Sequence, residues 1–173
     1  MSDPRGLLVV HTGNGKGKST AAFGLAFRAM GQGLKVSILQ FIKGKWKTGE
    51  LESARRIGLE LIPMGKGFTW ESHNLEEDKA LMREAWRTAS EKILSGQYDL
   101  IILDELNYVL GYGYLSADEV LRCLQARPAH VHVVLTGRNA PDELIAAADC
   151  VTEMREIKHP YRKGIPAQKG IDF

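Results

Sequence analysis

An α/β fold with an open, mainly parallel sheet and helices on both faces follows from three features of the chain. Apolar runs that suit strands alternate with segments of helical periodicity, and no internal repeat interrupts them. A glycine-rich turn, Val10-His11-Thr12-Gly13-Asn14-Gly15-Lys16-Gly17-Lys18-Ser19-Thr20, sits between the first strand and the first helix. A later apolar run closes on two carboxylates, Asp104 and Glu105. With 173 residues, 44% of them hydrophobic, the chain suits one domain spanning 1–173 with a full core.

The first strand, about 6–12, is apolar on both faces, as a central parallel strand should be. The turn after it has the context of a phosphate-binding loop. Glycines let backbone N–H groups converge as a nest, and the helix N-terminus adds partial positive charge. Lys18 can then reach a phosphate and Ser19 a magnesium ion. The usual spacing G-x-x-x-x-G-K-[ST] wants a glycine where this chain has Thr12, with Gly13 one place later, so the grip on phosphate is expected to differ. A glycine-rich turn that merely joins a strand to a helix is the plain alternative. A P-loop (RecA-like) nucleotide-binding fold is the expectation, with ATP or GTP and magnesium as the ligand class. Such sheets bind ligands beyond the carboxyl ends of their strands.

The helix after the loop carries Ala21, Ala22, Leu25, Ala26, Ala29 and Met30, and is expected to end near Gly31 in a left-handed cap. A second strand is expected over 34–42, then a basic loop from Lys43 to Glu50, a short helix over 51–57 and a third strand over 59–63. If the next piece, 64–71, is extended, its period of two places Phe68 and Trp70 on one side. The two rings either line a flat pocket or pack under the following helix.

That helix has Asn74 as its cap, Glu76 and Glu77 in its first turn, and an apolar stripe of Leu81, Ala85, Trp86, Ala89 and Ile93 before Gly96 stops it. Trp86 belongs to the core on this pattern. The strand from Tyr98 ends at Asp104 and Glu105, which next to a phosphate loop either hold magnesium, directly or through water, or orient a nucleophile, or form a solvated strand end. Ser116 to Glu119 is a capping box, and its helix ends before Pro128. A strand over 131–135 delivers Thr136-Gly137-Arg138-Asn139, where Arg138 either contacts phosphate or ribose or is solvated. A last helix begins at Pro141, an edge strand follows over 150–154, and a tail over 158–173 is expected to drape over the domain or a partner.

Composition narrows the function classes. The net charge of +2 with interspersed signs does not demand a nucleic-acid partner. Cys123 and Cys150 lack metal-type spacing and read as buried thiols of a reducing compartment. The start, Met1 to Arg5, is not an apolar signal, and no run approaches the ~20 residues of a membrane span, so a cytoplasmic protein is expected. No Asn-Lys-x-Asp string for guanine occurs, which favours adenine.

With these pieces in place the chain resembles the P-loop class of ATP:corrinoid adenosyltransferases, which act on cob(I)alamin or cob(I)yrinic acid a,c-diamide. The matching stretches are Thr12-Gly-Asn-Gly-Lys-Gly-Lys-Ser-Thr20, Gln40-Phe-Ile-Lys-Gly44, Gly67-Phe-Thr-Trp-Glu71, Leu103-Asp-Glu-Leu106, Leu135-Thr-Gly-Arg138, Lys158-His159 and Ala167-Gln-Lys-Gly-Ile-Asp-Phe173. They lie in order over nearly the whole chain, and Thr12 becomes a family feature.

The resemblance implies that a Co(I) corrinoid attacks the 5′ carbon of ATP and releases triphosphate, with ATP lying reversed relative to ordinary P-loop enzymes. It implies that Thr12, Gly13, Asn14, Gly15, Lys16, Gly17, Lys18, Ser19, Thr20 and Arg138 bind ATP, that Ser19 and Glu105 hold magnesium, or manganese in its place, and that Lys18 aids catalysis. Phe68 and Trp70 would cover the lower face of the corrin and expel its axial ligand, which eases reduction of Co(II). A homodimer and a reduced flavoprotein as electron donor are further implications, with neither membrane nor nucleic acid as partner. Longer members carry an N-terminal extension that covers the nucleotide of a neighbouring subunit; only Met1 to Arg5 precede the first strand here, so no such lid is expected. The rival readings are a RecA-like ATPase module for a protein or nucleic-acid partner, based on the basic loop Lys43 to Lys47 and the basic tail, and a small-molecule kinase, for which no acceptor motif is found.

Overall fold

The computed structural model describes residues 5–44, 48–66 and 75–172. Strands β1 (Leu8–Thr12), β2 (Val36–Gln40), β3 (Glu60–Pro63), β4 (Leu100–Asp104), β5 (His132–Thr136) and β6 (Cys150–Glu153) alternate with helices α1 (Lys18–Gly31), α2 (Gly49–Ile57), α3 (Leu75–Leu94), α4 (Leu106–Gly111), α5 (Ala117–Ala126) and α6 (Asp142–Ala147). The strands form a six-stranded sheet in the order β3-β2-β4-β5-β1-β6. Every pairing is parallel. Parallel neighbours need crossovers, and the helices supply them. The α/β class expected from the alternation is the one observed.

Side-chain alternation along the strands divides the core in two. Ile38, Leu100, Ile102 and Val134 face α1, whose Ala22, Ala26 and Ala29 let the helix lie close to the sheet. Leu39, Ile101, Leu103, Val133 and Leu135 face the opposite way, against Met82, Trp86 and Ile93 of α3, Val120 and Leu124 of α5 and Leu144 of α6. The α3 stripe read from the sequence is thus a core stripe, and Trp86 is buried with it. Its cap, Asn74, lies outside the described residues.

Several boundaries differ for local reasons. Helix α1 ends at Gly31, but the left-handed residue is Gly33, with φ +78°, because Gln32 adds one more turn position. Helix α2 begins at Gly49, two residues early, because Thr48 caps it: its Oγ1 accepts from the Leu51 N–H at 3.4 Å. The Ser116 cap of α5 forms as expected, accepting from the Glu119 N–H at 3.1 Å. Helix α4 was not expected. It is 6 residues long and starts from Glu105.

The reading of both cysteines as buried fails for Cys150, which is exposed because every residue of the edge strand β6 is. Cys123 is half-buried on α5, and burial pushes its thiol up to about 11. Among the described residues no helix is long and apolar enough to cross a membrane.

Leu135 is fully buried in β5, between β4 and β1. Leu135→Ala removes contacts on the α3–α6 side at the sheet centre and is expected to lower the free energy of unfolding by about 2–5 kcal/mol, read as a reduced urea midpoint at unchanged m.

Candidate active site

Because the sheet is all parallel, the loops after β1, β2, β4 and β5 leave at one edge. Their residues line a cleft of about 940 Å³. The glycine turn forms one wall, and its backbone is shaped by what lies behind it. Gly13, at φ +94°, would place a Cβ 2.5 Å from the Met154 carbonyl oxygen. At Gly15 a Cβ would lie 2.7 Å from the Arg155 carbonyl oxygen. The segment leaving β6 therefore supports the loop directly: Gly15 N–H donates to the Met154 carbonyl at 2.6 Å, and Met154 N–H donates to the Thr12 carbonyl at 2.8 Å. Thr12, by contrast, has room for its side chain and uses it, accepting from the Ala140 N–H at 3.1 Å. The glycine displaced by one place relative to the usual motif is thus required by the close approach at 13 and dispensable at 12.

Gly17, at φ +110°, turns the chain into α1, which has no side-chain cap and no acidic residue in its first turn. Its first amides are left for an anion, and the helix dipole favours one. Lys18 folds back, its Nζ donating to the Gly15 carbonyl at 2.6 Å. Burial lowers its pKa, and the charges of Arg138 and Lys16 add to the effect against a partial offset by Glu105. Neither Lys18 nor Arg138 has an ion-pair partner among the described residues. Lys16 is paired with the Asp172 carboxylate, so the tail reaches the cleft, where His159, Gly170, Ile171 and Asp172 form part of the wall.

The opposite wall is acidic. Asp104 is fully buried at the end of β4, accepting from the Thr136 hydroxyl at 2.8 Å and from the Gln40 side-chain amide at 3.0 Å. Glu105 follows at φ +67°, and its N–H donates to the Thr136 hydroxyl at 2.9 Å. Its Oε2 is buried without a hydrogen-bond partner. Burial first, then the charge of Asp104, push its carboxyl up to about 7, only partly countered by Lys43 and Lys18. Lys43 lies beside it, with Nζ 2.8 Å from Glu50 Oε1. Burial opposes the charge on Lys43, but Glu50, Asp104 and Glu105 outweigh it and raise the pKa.

Among the described residues no group of three or more metal-binding side chains occurs. Magnesium is usually held by one or two carboxylates together with substrate phosphates rather than by a protein cage. Glu105, which has a buried oxygen without a hydrogen-bond partner, and Ser19 line the same cleft, a donor set that fits such an ion.

Of the residues singled out in the sequence, Asn14, Gly15, Lys16, Gly17, Lys18, Ser19, Thr20, Glu105 and Arg138 are brought together around this cleft. Thr12 and Gly13 support the loop and are not among its lining residues. Phe68 and Trp70 lie outside the described residues. The sequence reading gives no site role to Lys43, Glu50, Tyr108 and Thr136, which also line the cleft. The signal for two of them was that Lys43 lies within the quoted Gln40–Gly44 stretch and Thr136 within the quoted Leu135–Arg138 stretch.

Residues 4–173 match the family described as ATP:corrinoid adenosyltransferase BtuR/CobO/CobP. A corrinoid adenosyltransferase of Pseudomonas aeruginosa is 50% identical over 173 residues, covering 99% of this chain and 85% of that protein. One from Escherichia coli K12 is 45% identical over 171 residues, covering 99% and 87%. Among solved structures, the flagellar accessory protein FlaH of Methanocaldococcus jannaschii superposes with a TM-score of 0.60 at 13% identity, over 87% of this chain and 71% of that one, and so shares the fold alone.

The raised carboxyl of Glu105 has a consequence for stability in the nucleotide-free protein. Below about pH 4.5 the group is protonated whether folded or not; between there and about 7 only the unfolded chain gives up the proton. Its contribution to stability therefore declines as pH rises and is lost above about 7. Glu105→Gln, which carries no such charge, is expected to stabilise the protein by about 1–3 kcal/mol at about pH 8 and to have little effect at about pH 4, measured by urea unfolding without metal or nucleotide.

Proposed function

The chain belongs to the ATP:corrinoid adenosyltransferase family, and on that premise we propose that it holds ATP by its far phosphate in the loop 13–20 and presents the ribose 5′ carbon to a Co(I) corrinoid. The overall activity is transfer of an adenosyl group from ATP to a corrinoid, in cobalamin biosynthesis or salvage. The observation that carries the residue-level reading is the cleft itself, which brings together Lys18 and Arg138, neither with an ion-pair partner among the described residues, and Glu105, one of whose oxygens is buried without a hydrogen-bond partner.

In the proposed reaction the Co(I) electron pair forms the cobalt–carbon bond, the bond from C5′ to the α-phosphate oxygen breaks, and its electrons leave with triphosphate. No proton has to move, so the protein contributes charge and position. Amides of the loop and of the first turn of α1 bind the phosphate oxygens, Lys16, Lys18 and Arg138 neutralise the leaving group, and Thr20 closes the loop side. Ser19 and Glu105 would hold magnesium. When bound, magnesium supplies further charge neutralisation on the polyphosphate.

The topology supports a place for the corrin. The segment containing Phe68 and Trp70 follows β3, and β3 lies four strand spacings from β1 in the sheet order. At about 4.8 Å per spacing that is on the order of 19 Å along the edge from which the phosphate loop also leaves. A nucleotide anchored at β1 would run across the ends of β5 and β4 toward the end of β3. The apolar rings of Phe68 and Trp70, which follow β3 in the sequence, would exclude water and the axial ligand from cobalt while Co(I) exists. A reduced flavoprotein as electron donor, a homodimer and a cytoplasmic site complete the reading.

Incubation with ATP, magnesium and chemically reduced cobalamin is expected to produce the light-sensitive adenosylcobalamin spectrum with triphosphate as co-product; ADP and phosphate instead would remove the proposal. Trp70→Ala is expected to keep ATP binding while losing the spectroscopic signature of four-coordinate Co(II). A variant that still adenosylates at the normal rate from Co(II) would show that the ring only packs.

A further inference from the structure

Glu105 adopts a left-handed backbone conformation, at φ +67°, that is costly for a residue with a side chain. What holds it there comes from a neighbouring strand. The hydroxyl of Thr136, at the end of β5 and fully buried, accepts from the Glu105 N–H at 2.9 Å and donates to Asp104 Oδ1 at 2.8 Å. The other oxygen of Asp104 is engaged by Gln40, from the end of β2, at 3.0 Å. Asp104 has no exposed surface, so its carboxylate is occupied with its neighbours. Glu105, one residue on, lines the cleft and keeps a buried oxygen without a hydrogen-bond partner.

We infer that Thr136 is a positioning residue for adenosyl transfer: its single hydroxyl, bridging the Asp104 carboxylate and the Glu105 amide, fixes the left-handed turn that directs the Glu105 carboxylate into the cleft. Gln40 completes the anchor by holding Asp104 from the other side. This rests on the reading that Glu105 takes part in holding magnesium. A valine at 136 has the same shape and no hydroxyl. It leaves the Glu105 amide and one Asp104 oxygen unpaired and frees the turn to relax toward ordinary helical geometry, with the carboxylate drawn off its aim.

The measurement is ATP affinity by calorimetry, with magnesium and with EDTA, in Glu105→Gln, Thr136→Val, Thr136→Ser and the double variant. Glu105→Gln is expected to lose most of the gain that magnesium confers. Thr136→Val is expected to lose at least fivefold of that same gain while its metal-free affinity stays within twofold of the unmodified protein. Thr136→Ser should keep the gain, and adding Thr136→Val to Glu105→Gln should change nothing further. Equal losses with and without magnesium, a full gain in Thr136→Val, or failure of Thr136→Ser would each overturn the inference. Should Thr136→Val not fold, Gln40→Met serves, with at least a twofold loss of the gain expected and a full gain overturning the idea. If Glu105→Gln itself keeps the full gain, the assignment of Glu105 to the metal is what fails, a result distinct from the others.

Discussion

The rest of the site depends on how closely the glycine turn lies against the chain leaving β6. The Gly15 amide is tied to the Met154 carbonyl, and the Thr12 carbonyl to the Met154 amide, so the turn is effectively an extension of the β1–β6 ladder rather than a free loop. A nest of N–H groups binds an anion well only if it is already formed, because ordering the backbone at the moment of binding would cost roughly 1–2 kcal/mol per residue. The clamp provides that order in advance. It also dictates composition: a side chain at 13 or 15 would run into the backbone of the segment behind, whereas Thr12 lies one place earlier, where a side chain fits and finds a donor.

The architecture was legible because parallel strands buried on both faces write themselves as short apolar runs, and the intervening helices carry a different period. The phosphate loop was legible for another reason. Its chemistry needs consecutive amides, one lysine and one hydroxyl in a contiguous stretch, so the whole constellation is local in sequence. Lys43, Glu50 and Thr136 belong to the same cleft, but each comes from a different strand end or helix start, and none of them has a neighbour in sequence that tells what it meets in the fold. Only the strand order β2-β4-β5 makes neighbours of Gln40, Asp104 and Thr136. Phe68 and Trp70 stand between the two cases: spacing left their rings equally able to pack or to line a pocket, and the family resemblance decided the reading. Helix α4 escaped notice because its start is a glutamate in a conformation that usually calls for glycine or asparagine. Cys150 was misread because an apolar run implies burial only for a strand with neighbours on both sides, and β6 has one.

The two adjacent carboxylates show how neighbouring residues of one type acquire different tasks. Asp104 is surrounded by donors, and its oxygens are taken. Glu105 is buried beside that charge and has an oxygen with none. The first arrangement sharpens the second, because the Asp104 charge is among the forces that push the Glu105 carboxyl up to about 7. A carboxyl in that condition is poorly satisfied as an anion and gains most from a cation. The opposite wall has the complementary difficulty: Lys18 is depressed by burial and by the neighbouring charges of Arg138 and Lys16, with no ion-pair partner among the described residues. On the proposed reading a metal–polyphosphate complex would answer both at once, with its anionic face toward the lysines and its cation toward Glu105. Neither half of that ligand alone relieves both walls, since a free polyphosphate would face the acid side and a free divalent ion the cationic side. On the proposed reading the cleft would favour the complex over its parts, and affinity for either component would be enhanced by the other.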